Sequence, residues 1–383
     1  MEMRTKAKNE IALVHDFLTN VGGAENVLRV IAGIYEKSDI FTLISDKKIL
    51  KDSEFNWLKK KRVFSSFLQK FPKFLKNRKK WLLPFMPTAV ETFDFRDYKL
   101  VISSSGAFAK GIVVKSKVIH ICYMHSPLRY VWDWYHEYLE ENYFKGKTKI
   151  FVRLFLNYLR MWDRASAMRP DYLIANSKYT QARIKKYYNR DSQVIYPPVE
   201  VEDFKATKEN QGYFLTVSRL SAYKRVDTLI DTFDKLGLPL VIVGDGPERK
   251  RLEEKIKKAE NSQKIKIVGA IKRERLIKLY ESARAFVFAC EDDFGIAVVE
   301  AMAAGKPVVA LKRGGAVETV IEGETGEFFD NSDVGTIANV VQRFVENENK
   351  YDFRKIRKQA EKFNRKKFEQ ELTRFVDQIQ KVG

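Results

Sequence analysis

Short apolar runs alternate along this chain with longer segments whose apolar residues recur at helical spacing. That order is expected of α/β layers built on parallel sheets. In the first half the runs Ile11–His15, Leu100–Ser104, Val118–Tyr123, Tyr172–Ala175 and Gln193–Tyr196 read as strands. In the second half the corresponding runs are Tyr213–Val217, Pro239–Val243, Ile265–Val268, Ala285–Ala289 and Pro307–Ala310, with helices between them, for example at Arg225–Leu236 and Arg273–Ala283. At Tyr196-Pro197-Pro198-Val199 two prolines remove backbone donors and stiffen an extended link. The organisation expected is therefore two Rossmann-like α/β domains, residues 1–197 and 198–350, followed by a helical segment, 351–383, packed outside them. Two such sheets facing each other would turn their carboxyl ends toward one cleft, the usual place for a ligand in open α/β sheets.

Composition narrows the class. Across 383 residues, 45% are hydrophobic, which supplies two cores and excludes a disordered chain. Met1–Glu10 is charged where a secretory signal needs an apolar core, and no apolar run reaches the roughly 18 residues of a membrane span. A cytoplasmic location is the expectation. Two cysteines, Cys122 and Cys290, offer neither a disulfide framework nor zinc-type spacing, and four histidines supply a metal centre poorly. The net charge of +20 is uneven: residues 1–200 hold 36 Lys and Arg against 20 Asp and Glu, and residues 201–383 hold 34 against 30. Such a field attracts phosphates, nucleic acids or anionic lipids without choosing among them.

Motifs make part of that choice. Gly244-Asp245-Gly246-Pro247-Glu248-Arg249 lacks the third glycine of a dinucleotide fingerprint, and no P-loop pattern occurs. After the first strand, Gly22-Gly23-Ala24-Glu25 opens a helix, where glycines let backbone N–H groups approach an anion; taken alone, a plain βα turn is the better explanation of them. In Ser218-Arg219-Leu220-Ser221-Ala222-Tyr223-Lys224, Arg219 and Lys224 occupy a strand-to-helix loop, suited to clamping two phosphates or to forming a solvated basic loop. Glu291-Asp292-Asp293-Phe294-Gly295-Ile296 then runs into an apolar helix bearing Glu300. A carboxylate in such a helix needs a partner, which ribose hydroxyls or a neighbouring basic residue would provide. The acidic triplet is also a candidate holder of a divalent cation.

Taken in order, these residues resemble the nucleotide-sugar site of retaining glycosyltransferases of family GT4, which have the α/β two-domain GT-B fold. In the N-terminal half, His15-Asp16-Phe17-Leu18, Val101–Ser105 and His125-Ser126-Pro127-Leu128-Arg129-Tyr130-Val131-Trp132-Asp133 resemble the mannosyltransferase branch that builds O-antigen and similar polysaccharides. The resemblance implies that Arg219 and Lys224 hold the donor diphosphate, that Glu300 holds the ribose, and that the backbone at Gly295 and Ile296 meets phosphate or sugar hydroxyls. It also brings Gly22 and Gly23 to the diphosphate, counts Gly244 and Gly246 with the donor side, and puts His125 beside the transferred sugar. His125, Asp292 and Glu300 are then the residues expected to carry the chemistry. One departure is visible: the family has Glu eight positions before Glu300, whereas this chain has Asp292, shorter by one methylene. The aromatic stretch with Arg129, Tyr130 and Trp132 is a candidate acceptor surface, although such density is also what a core requires. The resemblance implies a nucleoside-diphosphate sugar as donor, GDP-mannose in particular, a lipid-linked glycan as acceptor, and no further cofactor or metal.

From Phe55 to Val90 no acidic residue occurs, while ten cations between Lys59 and Lys80 are interleaved with aromatic and leucine residues. Residues 59–83 thus read as a basic amphipathic segment suited to an anionic membrane surface on the inner face of the cell membrane, or as a helix packed on its domain. Nucleic acid fits the charge, but no recognition motif for it is present.

Overall fold

The computed structural model describes residues 9–20, 22–46, 53–77, 79–141 and 146–382. The chain divides into two compact units, Met1–Tyr196 with Glu371–Gly383, and Pro197–Gln370. The boundary falls at the double proline.

The first unit is built on seven strands: β1 Ile11–Leu18, β2 Ser38–Ser45, β3 Val63–Ser65, β4 Leu100–Ser105, β5 Ile119–Met124, β6 Tyr172–Ala175 and β7 Gln193–Val194. Their order is β3-β2-β1-β4-β5-β6-β7, and the pairings are parallel. Helices on both faces bury most strand positions, so β1 is a near-continuous buried run. The sequence did not signal β2, because its Ser38, Asp39 and Thr42 are polar yet buried. Asp39 survives burial because Arg62, Tyr98 Oη at 2.7 Å and Asn9 Nδ2 at 2.8 Å satisfy it.

The second unit carries β8 Phe214–Val217, β9 Leu240–Val243, β10 Ile265–Gly269, β11 Ala285–Phe288, β12 Val308–Leu311 and β13 Gly326–Phe329, in the parallel order β10-β9-β8-β11-β12-β13. Strand β13 escaped the sequence reading for a similar reason. Its buried Glu327 is held by Lys350 at 2.8 Å, Arg343 at 3.0 Å and the Tyr351 hydroxyl. Residues after 350 divide between the units. Phe353–Ala360 packs on the helix Ile296–Ala303, with Arg357 Nη1 donating to the carbonyls of Ala303 and Phe204 at 2.8 and 2.9 Å. The last helix, Arg365–Val382, buries Phe368, Leu372 and Val376.

The basic segment is not one amphipathic helix. Its described residues form a 3₁₀ stretch to Lys60, β3, the turn Phe67–Lys70, the short helix Lys73–Asn77 and the turn Lys79–Phe85. Phe64, Phe67, Phe71, Leu75, Leu82 and Leu83 pack into the domain core, leaving Phe74 and Trp81 exposed. Lys61 Nζ donates to the carbonyls of Ala32, Tyr35 and Glu36 at 2.7–2.9 Å, closing the C-terminal end of the helix Gly23–Ile34. Arg78 lies outside the described residues.

Candidate active site

In the six-stranded sheet the strand order changes direction between β8 and β11, and the loops leaving these strands carry the second-half motifs. A ligand in an open α/β sheet sits at such a reversal. The loop after β8 ends in the 3₁₀ turn Ala222–Lys224, and Arg225 adopts φ 53°, which non-glycine residues seldom do. Lys224 is buried, and its Nζ lies 2.8 Å from Asp292 Oδ2 on the loop after β11. The rings of Tyr223 and Phe288 lie 5.0 and 5.5 Å from the same ammonium. Burial works to discharge Lys224, but the Asp292 carboxylate, with smaller contributions from Cys290 and Tyr223, outweighs it and holds its pKa above the usual lysine range. The cation is thus permanent. Arg219 is exposed, and among the described residues no carboxylate pairs with it.

Glycines let these loops meet. A Cβ on Gly244, where φ is 138°, would lie 1.8 Å from the Ser218 carbonyl oxygen, and one on Gly246 would lie 2.2 Å from that of Leu220. Leu220 N–H donates to the Asp245 carbonyl at 3.0 Å, so the glycine turn buttresses the backbone that presents Arg219. Gly295, at φ 84°, is left-handed and opens the helix Ile296–Ala303, with Ile296 as its first residue. The sequence reading passed over Gly314-Gly315, just after β12. A Cβ on Gly314 would stand 2.3 Å from the Asp292 carbonyl oxygen, and Gly315 N–H donates to that oxygen at 2.9 Å. Paired glycines after a strand are the sign that was available.

Glu300 has protein partners: Arg273 through Oε1 and the buried Tyr280 hydroxyl at 3.0 Å through Oε2. Arg273 also reaches Asp203 at 3.3 Å. Here the neighbouring-base reading describes the structure, and neither Arg273 nor Tyr280 was singled out by the sequence. The Glu300 charge keeps the Arg273 guanidinium protonated against its burial.

In the first unit the strand order reverses between β1 and β4, and a connected set of polar side chains stands at that reversal. Glu25 Oε1 lies 3.8 Å from His15 Nε2, His15 Nδ1 lies 3.1 Å from Ser104 Oγ, and Ser104 Oγ lies 2.7 Å from His125 Nε2. Burial, with the nearby His15, pushes the His125 pKa down to about 3, so its imidazole is neutral at physiological pH. Asp16 accepts the N–H groups of Gly106, Ala107, Phe108 and Ala109 at 2.6–2.9 Å, fixing the loop after β4. Gly22 precedes the helix Gly23–Ile34 with φ −162°, an extended conformation open to any residue, and a Cβ there would meet first the flexible end of Glu25. Backbone strain therefore does not explain this glycine.

Arg129, Tyr130 and Val131 form a 3₁₀ turn. Trp132 is turned inward: its indole N–H donates to Asp163 Oδ2 at 2.7 Å and its ring stacks on Tyr187 at 4.6 Å. Asp163 also takes Lys110 Nζ at 2.6 Å and the Tyr188 hydroxyl at 2.6 Å, a buried network that anchors this loop. The Tyr130 hydroxyl is buried without a hydrogen-bond partner. Among the described residues no three His, Cys, Asp or Glu side chains are grouped as metal ligands.

The family model for glycosyl transferases group 1 matches residues 199–367, and that for glycosyltransferase family 4 matches residues 21–203. The 2-deoxystreptamine N-acetyl-D-glucosaminyltransferase of Niallia circulans is 32% identical over 117 residues, 30% of either chain. The O-antigen chain mannosyltransferase RfbU of Salmonella typhimurium is 29% identical over 160 residues, 40% of this chain and 45% of that protein. The chain thus spans less than half the length of these curated relatives. Among solved structures, Anabaena Alr3699/HepE in complex with UDP-glucose superposes with a TM-score of 0.69 at 21% identity, covering 96% of this chain and 99% of that one. The two family models overlap just after the domain link, at residues 199–203, and together run from residue 21 to 367. The first domain thus matches the family 4 glycosyltransferase model and the second the group 1 model, and the two Rossmann-like domains have the GT-B fold.

Proposed function

We propose that this protein is a retaining glycosyltransferase that moves mannose from GDP-mannose to a lipid-linked glycan in cell-surface polysaccharide synthesis, working at the cytoplasmic face of the membrane. The observation that carries the donor side is the buried Lys224 ammonium, held charged by Asp292, on the same loop as the exposed Arg219 at the β8/β11 reversal. The leaving diphosphate gains charge as the sugar carbon becomes oxocarbenium-like, and fixed cations in a water-poor site stabilise that change. In the first unit Gly22, which the turn itself does not require, leaves the first N–H groups of the helix Gly23–Ile34 open to an anion. Asp292 accepts sugar hydroxyls and faces the developing positive charge. Glu300, oriented by Arg273 and Tyr280, accepts the ribose hydroxyls. Neutral His125 exchanges a hydrogen bond with the transferred sugar, and Arg129 with the Tyr130 hydroxyl meets the acceptor beyond the anchored Trp132. Attack from the leaving-group side retains the anomeric configuration, and the diphosphate takes the acceptor's proton.

The mannosyl choice is supported by the branch resemblance and by RfbU. A UDP-sugar donor is the second reading, favoured by the UDP-glucose bound to Alr3699/HepE and by the N-acetylglucosaminyltransferase relative. Thermal shift with GDP, UDP, ADP and their sugars separates these, because a specific ligand raises the melting temperature by mass action. The expected result is the largest shift with GDP and release of labelled mannose from GDP-mannose. A larger shift with UDP moves the reading to the second donor class. No shift with any nucleoside diphosphate, or a shift with no sugar release, ends the transferase reading and leaves a non-catalytic nucleotide- or nucleic-acid-binding protein.

A further inference from the structure

The helix Gly146–Ser166 carries apolar residues over a broad arc, wider than its contact with the core. Leu156, Leu159 and Trp162, with Val152 and Phe155 beside them, pack into the core of the first unit. Beside that contact Ile150, Phe151, Leu154, Tyr158 and Met161 are 46–71% exposed. At 3.6 residues per turn these five positions fall within an arc of about 100°. A surface helix of a globular domain ordinarily turns its polar face outward, and a continuous outward apolar stripe marks an interaction surface.

The charges around the stripe identify what covers it. Arg153 and Arg164 are exposed along one flank, and among the described residues neither pairs with a carboxylate. The helix has a single acidic residue, Asp163, and that is buried against Lys110. A second copy packed on this stripe would set arginines against arginines with no carboxylate between them. Lipid phosphates supply the missing anions, and Tyr158 has the amphipathic ring that sits well at a headgroup boundary. No described helix is long and apolar enough to cross a bilayer, and this one already buries part of its apolar arc in protein. We propose that the outward face of Gly146–Ser166 docks the protein on an anionic phospholipid bilayer, lying along the interface with its apolar stripe inserted. This rests on the membrane placement proposed above and not on the donor chemistry.

The test is sedimentation of the full chain with phosphatidylcholine vesicles, with and without phosphatidylglycerol, at low and high salt. Three variants are compared: Phe151→Ser with Leu154→Ser, Arg153→Glu with Arg164→Glu, and Phe74→Ser with Trp81→Ser. All six positions are exposed, so unchanged melting temperatures verify folding. The expected result is binding that requires phosphatidylglycerol, weakens with salt, and falls roughly tenfold or more in the first two variants. If the wild type binds and only Phe74→Ser with Trp81→Ser loses binding, this helix is not the docking face and the membrane reading stands on the other segment. If the wild type stays in the supernatant, both fall. Light scattering that shows a dimer broken by Phe151→Ser with Leu154→Ser, without vesicle binding, assigns the stripe to self-association and overturns the proposal.

Discussion

Removing the Asp292 charge should unbalance Lys224. Two unit charges 2.8 Å apart attract by about 6 kcal/mol at an effective dielectric of about 20. Desolvation of each ion offsets much of that, so the pair itself adds little net stability. Breaking it from one side is different, because the remaining charge keeps its desolvation and loses its partner. For fully buried pairs that costs about 3–5 kcal/mol. Lys224 is 9% exposed and Asp292 26%, so the cost of Asp292→Asn should be lower, roughly 2–4 kcal/mol. That corresponds to a fall in melting temperature of roughly 5–15 °C for a unit of this size. Lys224→Met should cost less, since Asp292 can hydrate once its partner is gone. Denaturant melts of the two single variants and the double variant give the coupling energy, expected at about 1.5–3 kcal/mol. Saturating nucleoside diphosphate adds a second arm. If the diphosphate meets Lys224, it should stabilise Asp292→Asn more than the wild type, by replacing the lost anion, and stabilise Lys224→Met least. A coupling energy within about 0.5 kcal/mol of zero would refute the ion-pair argument. An undiminished diphosphate shift in Lys224→Met would remove Lys224 from the donor site.

Gly246→Ala should destabilise the second unit by at least about 1–3 kcal/mol, because its Cβ would overlap the Leu220 backbone; a melting temperature equal to wild type would show that the loop yields. Glu300→Gln should weaken nucleoside diphosphate binding about tenfold while leaving pyrophosphate binding unchanged, as calorimetry would show; equal losses for both ligands would point to the diphosphate rather than the ribose. Burial, helped by Arg169, lowers the His120 pKa to about 3, so the folded protein releases a proton that the unfolded chain holds below pH 6.5. The contribution of His120 is thus fully favourable above pH 6.5 and is lost as pH falls toward 3, by about 2 kcal/mol at pH 5. In His120→Gln the stability difference between pH 7.5 and pH 5 should shrink by that amount, and an unchanged pH profile would show that His120 is not the group responsible.

Ten of the thirteen described strands are legible because a strand covered on both faces must be apolar almost without interruption. The exceptions show what pattern reading loses. Strands β2 and β13 carry Asp39 and Glu327 inside the fold, and each is made tolerable by partners that lie 23 residues or more away for Asp39 and 16 to 24 for Glu327. Strand β3 is three residues long and lacks a run to recognise. The donor-side motifs were legible as types, since a basic loop after one strand and an acidic loop after another announce a charged site. Their pairing was not: Lys224 was read as a free phosphate ligand, but it already holds Asp292. Nor could spacing reveal that Arg273 and Tyr280, contributed by the segment after β10, fix Glu300 on another helix. Such contacts exist only after the sheet has brought separate loops together.

A count of charges overstates the external field of the basic segment, for a physical reason. A cation contributes to an external field only if nothing inside the fold absorbs it. In the basic segment Lys61 closes a helix end, Arg62 neutralises Asp39, and Lys76 Nζ donates to the Gln69 carbonyl at 2.9 Å. Most of the interleaved aromatics, which suggested an insertion face, are core. The helix Gly146–Ser166 has fewer cations, yet among the described residues no carboxylate pairs with Arg153 or Arg164, and an apolar stripe stays outside. Its sequence shows an amphipathic helix with one broad apolar arc, and nothing in the pattern says which part of that arc the core covers. That is set by Leu156, Leu159 and Trp162 meeting residues far away in the chain, among them Glu91, which accepts the Trp162 indole N–H at 3.1 Å. In the proposal above the docking face is therefore marked by exposed apolar side chains and not by the densest run of lysine.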